Sequence, residues 1–540
     1  MAELNHLDTM GKGQDQTMTV LSIEKHGDND SAQLARLGKS QVLRRDFGFV
    51  AMLGFSCTVM ISWEAALFNF GIGFGSGGYA GSFWGYLFVW LGTLSSIATM
   101  AELASMAPTA AGQYHWVSML APANSRRFLS YVIGWLTMTG WFAVVASVCF
   151  LCAQMLQGLA LMTNAGYSPT QWQIPLIYWL VLVFGVLFNT VAVRFLPQIE
   201  ALVLILHVLG FFAILIPVAV YGIRTDASVV FNTWLNSGNW PTQGVSFLIG
   251  LVGPAFGLLG GDAAVHMSEE IKRPTINVPR AMCASVAING ALGFAMLILQ
   301  LFFLGNADDV FTNNPGFPFM AFFQQAVGTN GGAVAMVCIV FVLVMCCNVS
   351  CIATASRLTW AFARDRGLPF WSFWSRVDQQ TVVPLLSVAL VAIVSLVLSV
   401  IAFGSTLAFN DVVSLTIANL FSSYFIGNTL LLWRRVTGGI QPFNPDEAEL
   451  VNTIGATKLT WGPWKIPGIW GTLNNIFGSS FLLIVLFFSF FPTATDPTPA
   501  TMNWSILLAG GIAIIALGYY MAYGRRSYKG PVVESVGEAY

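Results

Sequence analysis

The chain has 540 residues, of which 56% are hydrophobic and only 9% are charged. A soluble protein carries roughly 25% charged residues, so these charges are too few to cover a water-soluble globule, and most of the chain must lie in lipid. The formal net charge of −1 provides no basic field for a nucleic acid, and no zinc-finger or basic-helix spacing is present.

Twelve apolar segments are long enough to cross about 30 Å of hydrocarbon. They lie near 48–72, 82–102, 128–157, 174–193, 198–222, 246–268, 283–305, 333–356, 383–403, 409–433, 472–492 and 502–523. They lack the period-2 alternation of a β-barrel, so an all-α integral membrane protein is predicted. Residues 1–47 are polar and predict a disordered tail without a secretory signal, and 524–540 form a second tail.

The positions of the basic residues give an independent test, because Lys and Arg concentrate in cytoplasmic loops. Of the 24 Lys and Arg residues, all but Arg224 fall in the two tails or in loops that twelve spans would place on the same side as the tails. The distribution therefore predicts a domain of twelve spans at 48–523, with both termini in the cytoplasm.

Glycine and proline mark the weak points of two spans. Span 1 carries Gly54, followed at its outer end by Gly71, Gly73, Gly75, Gly77 and Gly78, and span 6 carries Gly250, Gly253, Pro254, Gly257, Gly260 and Gly261. Spans 1 and 6 occupy corresponding positions if the first ten spans form two halves of five. Interrupted spans at matching positions indicate the substrate site of a transporter. The alternative is that the glycines only allow close helix packing. Both interpretations stay open for span 1, whereas Pro254 and the adjacent glycines favour unwinding of span 6.

Ionisable side chains in the spans are functional candidates, because a charge at the bilayer centre costs about 2.5–3.5 kcal/mol. Asp262 follows the double glycine of span 6, where a carboxylate can hold a cationic amine or a proton, or can cap the next half-helix. His266 and Glu269 lie on the same helical face as Asp262 and suit a proton path or an inner gate. Pairing of the acidic end with Lys272 and Arg273 is the alternative.

Four further residues are weaker candidates. Glu64 beside Trp63 forms the aromatic and carboxylate pair that can hold an ammonium group, unless Glu64 lies shallow enough to reach outer water. His207 is either a packing residue or a proton relay. Asn348 and Thr354 on span 8 can contact substrate or an ion, or can make hydrogen bonds between helices.

Enzyme chemistry has little support in the sequence. The five histidines form no metal-binding spacing, and no phosphate-binding loop for ATP is present. The eight cysteines lie in apolar runs, so packing is their predicted role. No metal and no cofactor is predicted.

Four short stretches carry a distinctive combination of motifs. They are GGDAAVHMSEE at 260–270 followed by Pro279-Arg280, ELASMAP at 102–108 leading into GQYHW at 112–116, FARDRGLP at 362–369, and GPVV at 530–533. Together they resemble the fungal amino acid/GABA/choline permeases, which belong to the amino acid–polyamine–organocation superfamily. The resemblance covers roughly residues 40–535.

The resemblance implies a leucine-transporter-like fold with two inverted repeats of five spans, at 48–222 and 246–433, and two extra spans at 472–523. It also implies a plasma-membrane permease, usually driven by protons, for amino acids, GABA, choline or related amines. Superfamily members often carry a Gly-small-Gly turn in span 1, whose amides bind a substrate carboxylate. The corresponding residues here, Gly54-Phe55-Ser56-Cys57, depart from that motif. An amine without a carboxylate therefore stays an alternative substrate.

We therefore expect a secondary transporter that imports a small amino acid or amine. Proton coupling is expected, and sodium coupling is the alternative. The predicted substrate site consists of Gly54, Phe55, Ser56, Cys57, Trp63, Glu64, Phe256, Gly257, Gly260, Gly261 and Asp262. The predicted coupling residues are Asp262, His266, Glu64, Asn348 and Thr354. The alternatives are a transporter dedicated to a specialised metabolic pathway and a nutrient sensor. The short tails and loops argue against the sensor.

Overall fold

The computed structural model describes residues 29–534, except 165, 171, 314–316, 401–405, 445–449, 455, 457 and 500. The described part is helical, apart from short turns and the isolated bridges Phe47–Ile271 and Gln441–Thr460. The α-helices are α1 (Asn29–Arg36), α2 (Phe49–Met60), α3 (Ser62–Phe68), α4 (Phe70–Met106), α5 (Gln113–Leu120), α6 (Arg126–Thr163), α7 (Gln173–Thr190), α8 (Leu196–Tyr221), α9 (Ala227–Asn232), α10 (Gln243–Gly250), α11 (Val252–Gly257), α12 (Ala263–His266), α13 (Pro274–Phe303), α14 (Ala307–Thr312), α15 (Pro318–Val327), α16 (Asn330–Arg364), α17 (Trp371–Trp374), α18 (Leu385–Ser399), α19 (Thr406–Val436), α20 (Gly468–Phe488), α21 (Ser505–Tyr519) and α22 (Arg525–Ser527).

Ten helical stretches among the described residues are long and apolar enough to cross a membrane, and two shorter apolar stretches, Gln243–Gly257 and Leu385–Ser399, accompany them. Helices suit this environment because they satisfy their own backbone hydrogen bonds where water is absent. The prediction of an all-α, multi-pass membrane protein is confirmed.

The glycine-rich segment after span 1 is placed differently from the prediction. It begins α4, which starts at Phe70, well before the predicted span at 82–102. Only Gly78 leaves the helical conformation there, with φ 65° and ψ −156°. Gly78 therefore marks a kink in α4, and the other glycines of this run lie in the helical part before it.

The first predicted span is interrupted at Ile61, and the predicted position of the interruption is wrong. Ile61 adopts a left-handed conformation (φ 35°, ψ 47°) between α2 and α3. Gly54, which was expected to belong to the unwound part, lies inside α2. A Cβ atom on Gly54 would lie 2.5 Å from the carbonyl oxygen of Glu200 on α8. Gly54 therefore allows close packing of α2 against α8, which is the alternative that the sequence left open.

The sixth predicted span is interrupted where its glycines predict. Helix α11 ends at Gly257 and α12 begins at Ala263. Between them, Gly260 has a φ of +97°, a conformation that side chains with a Cβ rarely adopt. The interruption therefore depends on glycine at this position.

Residues 29–47 of the predicted N-terminal tail form helix α1 and an extended segment that packs against the membrane helices; residues 1–28 lie outside the described residues. Four apolar side chains of this segment are buried: Leu34, Leu37, Leu43 and Phe47. Lys39 Nζ lies 2.5 Å from Asp365 Oδ1, and both side chains are fully buried. Burial lowers the pKa of Lys39. Burial alone would raise the pKa of Asp365, but the charges of Lys39 and Arg364 hold that pKa below its usual value.

The C-terminal segment packs onto the same layer. The Val532 amide donates to Asp365 Oδ1 at 2.9 Å, and the Glu534 amide donates to the Gly38 carbonyl at 2.7 Å. The Ser40 hydroxyl also donates to the Glu534 carboxylate. We call the side of the molecule that carries both segments the tail face. Its buried ion pair and backbone bonds cover the ends of the membrane helices.

The packing role of Gly54 gives a test of the fold. Gly54→Ala places a methyl group against the α8 backbone, and such overpacking costs about 1–3 kcal/mol. We expect a lower thermal unfolding temperature for the purified protein in detergent. The matched control is Gly427→Ala inside α19, where no atom lies within 4 Å of the added Cβ. An equal effect of the two substitutions would contradict the close approach of α2 and α8.

Candidate functional site

A cavity of ≈ 370 Å³ lies beside both helix interruptions. Met60 and Ile61 line it at the first interruption, and Leu259 and Gly260 line it at the second. The cavity extends toward the face opposite the tail face, where Thr493, in the polar segment between α20 and α21, lines it and is exposed. It is therefore a chamber between the broken helices that opens away from the tails.

One face of α6 forms a wall of this cavity. The lining residues Trp141, Val144, Val148 and Leu151 recur at helical spacing, and Ser147 lies among them. Gln154 extends the same wall by another turn. This wall was not predicted from the sequence. The sequence feature that indicates the wall is the pair Ser147 and Gln154, two polar residues seven positions apart on one face of an apolar helix.

The chemistry of the lining is aromatic and neutral. Phe68, Trp141, Phe150 and Phe256 supply aromatic surface, and the polar side chains are Asn69, Ser76, Ser147, Gln154, Ser414, Ser489, Thr493 and Asn503. No acidic or basic side chain is among the described residues of the lining. The ends of interrupted helices add backbone dipoles that can meet a charged group of a ligand. Such a site suits a small molecule without net charge, or a single cation held on aromatic faces.

Of the predicted substrate residues on the second interruption, Phe256 and Gly260 line the cavity. Gly257 instead packs against α3, since a Cβ there would lie 3.0 Å from Ala65 Cβ. A Cβ on Gly261 would likewise lie 2.9 Å from Ile97 Cδ1. Both glycines provide close helix packing beside the cavity.

The predicted span 1 residues lie inside α2 and outside the cavity lining. The Phe55 ring contacts the Phe47 ring edge-on, with centroids 6.1 Å apart. The Ser56 hydroxyl donates to the Met52 carbonyl at 2.9 Å, and Cys57 is buried. The expectation that these residues offer free backbone groups is corrected, because α2 remains helical as far as Met60.

Asp262 lies between the cavity and the tail face and is fully buried. Its carboxylate accepts hydrogen bonds from Gln113 Nε2 at 2.6 Å and from the Tyr424 hydroxyl at 2.5 Å. His266 Nε2 lies 3.4 Å from Asp262 Oδ2. The carboxylate makes no capping hydrogen bond to α12, so it does not act as a helix cap. Asp262 also does not line the cavity, so a ligand in the cavity does not contact it directly.

The hydrogen bond of His266 to the Ala110 carbonyl defines where one ring proton lies. His266 Nδ1 is 2.9 Å from the Ala110 carbonyl, and a carbonyl only accepts, so Nδ1 carries a hydrogen. In a neutral ring, Nε2 then presents a lone pair toward the Asp262 carboxylate, which is repulsive. The pair is favourable when it holds one further proton, on His266 or on Asp262. The Trp141 ring packs edge-on against His266 at 6.1 Å and separates this pair from the cavity.

The acidic residues that follow His266 form ion pairs with α16. Glu269 accepts two hydrogen bonds from Arg364, at 2.8 and 3.1 Å, and Glu270 accepts one from Arg357 at 2.8 Å. The pairs therefore involve α16 arginines, in place of the predicted Lys272 and Arg273. They join the second interrupted span to the tail face.

Glu64 lies outside the lining of the cavity. It is fully buried, and its carboxylate lies 2.9 Å from His207 Nδ1. The Trp63 ring packs against the His207 ring at 5.7 Å. None of the three residues lines the cavity. Both residues join α3 to α8 through His207, and their contact with a substrate stays a prediction.

Asn348 and Thr354 also lie outside the cavity lining. Asn348 Nδ2 donates to the Val181 carbonyl at 3.0 Å, and the Thr354 hydroxyl donates to the Ser350 carbonyl at 2.9 Å. The Asn348 bond joins α16 to α7 and matches the alternative of hydrogen bonds between helices, whereas the Thr354 bond lies within α16. Within the described part of the chain, no group of three His, Cys, Asp or Glu side chains could hold a metal ion.

Comparison with known proteins identifies the family. The sequence profile of the amino acid permease family matches residues 47–512. A Macrophomina phaseolina protein named as an amino acid/polyamine transporter is 31% identical over 84% of this chain and 96% of its own length. The choline transporter of Saccharomyces cerevisiae is 28% identical over 90% of this chain and 83% of its own length. The GABA-specific permease of the same yeast is 26% identical over 95% of this chain and 87% of its own length. The chain belongs to the amino acid permease family of the amino acid–polyamine–organocation superfamily.

Proposed function

We propose that this protein is a secondary transporter that imports a small amino acid or amine across the plasma membrane together with protons. The observation that carries the proposal is the cavity between the two helix interruptions. The ten long helices and the two shorter ones supply twelve crossings, with two inverted halves of five followed by two further spans. The basic residues of the tail face then lie in the cytoplasm, as the positive-inside rule requires.

The cavity favours a substrate with little net charge. A polyamine carries several positive charges, and burying them without acidic partners is costly. A zwitterion such as GABA can place its two charges at the ends of the interrupted helices. A quaternary ammonium compound such as choline can place its single charge on the aromatic rings of the lining. We therefore propose a GABA-like or choline-like compound rather than a polyamine.

The Asp262–His266 pair is the proposed proton site. It lies on the tail side of Trp141, so a proton bound there is separated from the substrate by one aromatic ring. For substrate to reach the cytoplasm, the Trp141 floor and the ion pairs behind it must separate. Loss or gain of the proton changes the attraction between α12 and its neighbours, which links protonation to that movement.

Radiolabelled uptake in a yeast strain that lacks its own permeases tests the proposed function. The protein is assayed at pH 5 and pH 7.5, with GABA, choline, spermidine and the standard amino acids as competitors. We expect saturable uptake that is stronger at pH 5, with GABA or choline competing better than spermidine. Absence of uptake with the protein at the cell surface would contradict import. Equal uptake at both pH values would contradict proton coupling, and competition led by spermidine would contradict the substrate class.

The proton site is tested with Asp262→Asn. This change keeps the size of the side chain but removes the charge that Tyr424, Gln113 and His266 surround. Hydrogen bonds to a charged group contribute about 1.5–3 kcal/mol, so we expect uptake at pH 5 to fall about tenfold or more and its pH dependence to flatten.

Glu64→Gln is the matched control for Asp262→Asn, because it neutralises another fully buried carboxylate that lies outside the cavity lining. We expect it to keep the pH dependence. Surface protein is quantified for both variants. A flat pH profile in Glu64→Gln with a normal profile in Asp262→Asn would move the proton site to the Glu64–His207 pair.

A further inference from the structure

A second pocket, of ≈ 190 Å³, lies on the tail face where α19 ends and α20 begins. Three basic side chains line it: Arg434, Arg435 and Lys465. The remaining lining residues are Gly438, Ile440, Trp461, Ile466 and Gly468. No acidic side chain is among the described residues of this lining. The pocket is separate from the substrate cavity, with which it shares no lining residue.

Buried contacts hold the arginines in place. The fully buried Glu102 carboxylate accepts a hydrogen bond from Arg435 Nη2 and another from the Ile466 amide at 2.8 Å. The Arg435 side chain is only 9% exposed, yet its buried Nε has no hydrogen-bond partner among the described residues. Arg434 Nε donates to the Leu120 carbonyl at 2.7 Å. The fold therefore positions both guanidinium groups before any ligand arrives.

Trp461 brings two of the charges together. The Arg435 guanidinium lies 4.8 Å from the centre of the Trp461 ring, and Lys465 Nζ lies 5.7 Å from it. Glu102 offsets one positive charge of the three, so the pocket retains an excess of positive charge. Like charges gathered in this way repel each other, and a bound anion relieves the repulsion.

The surroundings of the pocket indicate a lipid source for that anion. Ile469 and Trp470 begin α20 directly after the pocket and are 63% and 70% exposed. Trp433 and Val436, at the end of α19, are also exposed. Apolar and tryptophan side chains at the ends of membrane helices lie against lipid at the bilayer interface. Basic pockets between membrane helices on the cytoplasmic side suit acidic headgroups.

We propose that this pocket binds the phosphate headgroup of an anionic phospholipid, with the acyl chains lying along Ile469 and Trp470. The basic residues provide the charge and the hydrogen-bond donors, and the exposed apolar residues provide the contact that free phosphate lacks. This binding does not depend on which substrate the protein transports.

The proposal is tested with the full-length protein purified in a neutral detergent. Its thermal unfolding temperature is recorded against increasing dioctanoyl phosphatidic acid, and an apparent Kd follows because a ligand of the native state raises that temperature. Dioctanoyl phosphatidylcholine and inorganic phosphate are titrated in parallel. We expect stabilisation by phosphatidic acid only. Equal stabilisation by phosphatidylcholine or by inorganic phosphate would overturn the proposal.

The deciding variant is Lys465→Gln, because Lys465 is exposed and its removal leaves the hydrogen bonds of Glu102 with Arg435 and Ile466 intact. We expect it to weaken phosphatidic acid binding about fivefold, which corresponds to one basic residue near a membrane surface. The matched control is Arg526→Gln, which removes an exposed charge from the tail face outside the pocket. Wild-type affinity in Lys465→Gln, or the same loss in Arg526→Gln, would overturn the assignment.

Discussion

In lipid, every backbone polar group must find its partner inside the protein, and the rest of this structure depends on that constraint. Two helices break nonetheless, at Ile61 and between Gly257 and Ala263. Both breaks lie where other helices surround them, and the cavity occupies the space beside them. The interruptions are tolerated because they face protein and a cavity rather than lipid. The same exposed backbone makes them suited to a polar substrate.

The two ends of the cavity are built differently. Toward the face opposite the tails, its lining includes the exposed residue Thr493. Toward the tail face, Trp141 closes the cavity, and behind it lie the Asp262–His266 pair, the Glu269–Arg364 ion pair and the Lys39–Asp365 ion pair. Buried ion pairs contribute little net stability but are costly to break one partner at a time. This layer can therefore act as a closed inner gate that opens as a unit.

The helical composition and the interruption at Gly260 followed from hydropathy and from glycine and proline, because these are local properties of the chain. The interruption at Ile61 did not, since an αL isoleucine has no local sequence signal and Gly54 serves packing against a helix distant in sequence. The α6 wall was not predicted, because Ser147 and Gln154 are isolated neutral polar residues in an apolar helix and lack the signal that glycines and charges give. His266 lies four residues after Asp262 and was predicted on the same helical face. The other two partners of Asp262, Gln113 on α5 and Tyr424 on α19, are brought to it only by the tertiary fold.

The central claim, that the cavity opens away from the tails and ends at Trp141, is tested most directly by cysteine accessibility on α6. Ser147→Cys lies in the cavity lining, whereas Thr137→Cys lies one turn beyond Trp141 on the tail side and is buried. A membrane-impermeant methanethiosulfonate reagent is added to the outside of intact cells that express each variant, in a background whose native cysteines do not react. The account predicts rapid modification of Ser147→Cys and none of Thr137→Cys. Equal modification of both positions, or an unreactive Ser147→Cys, would contradict it.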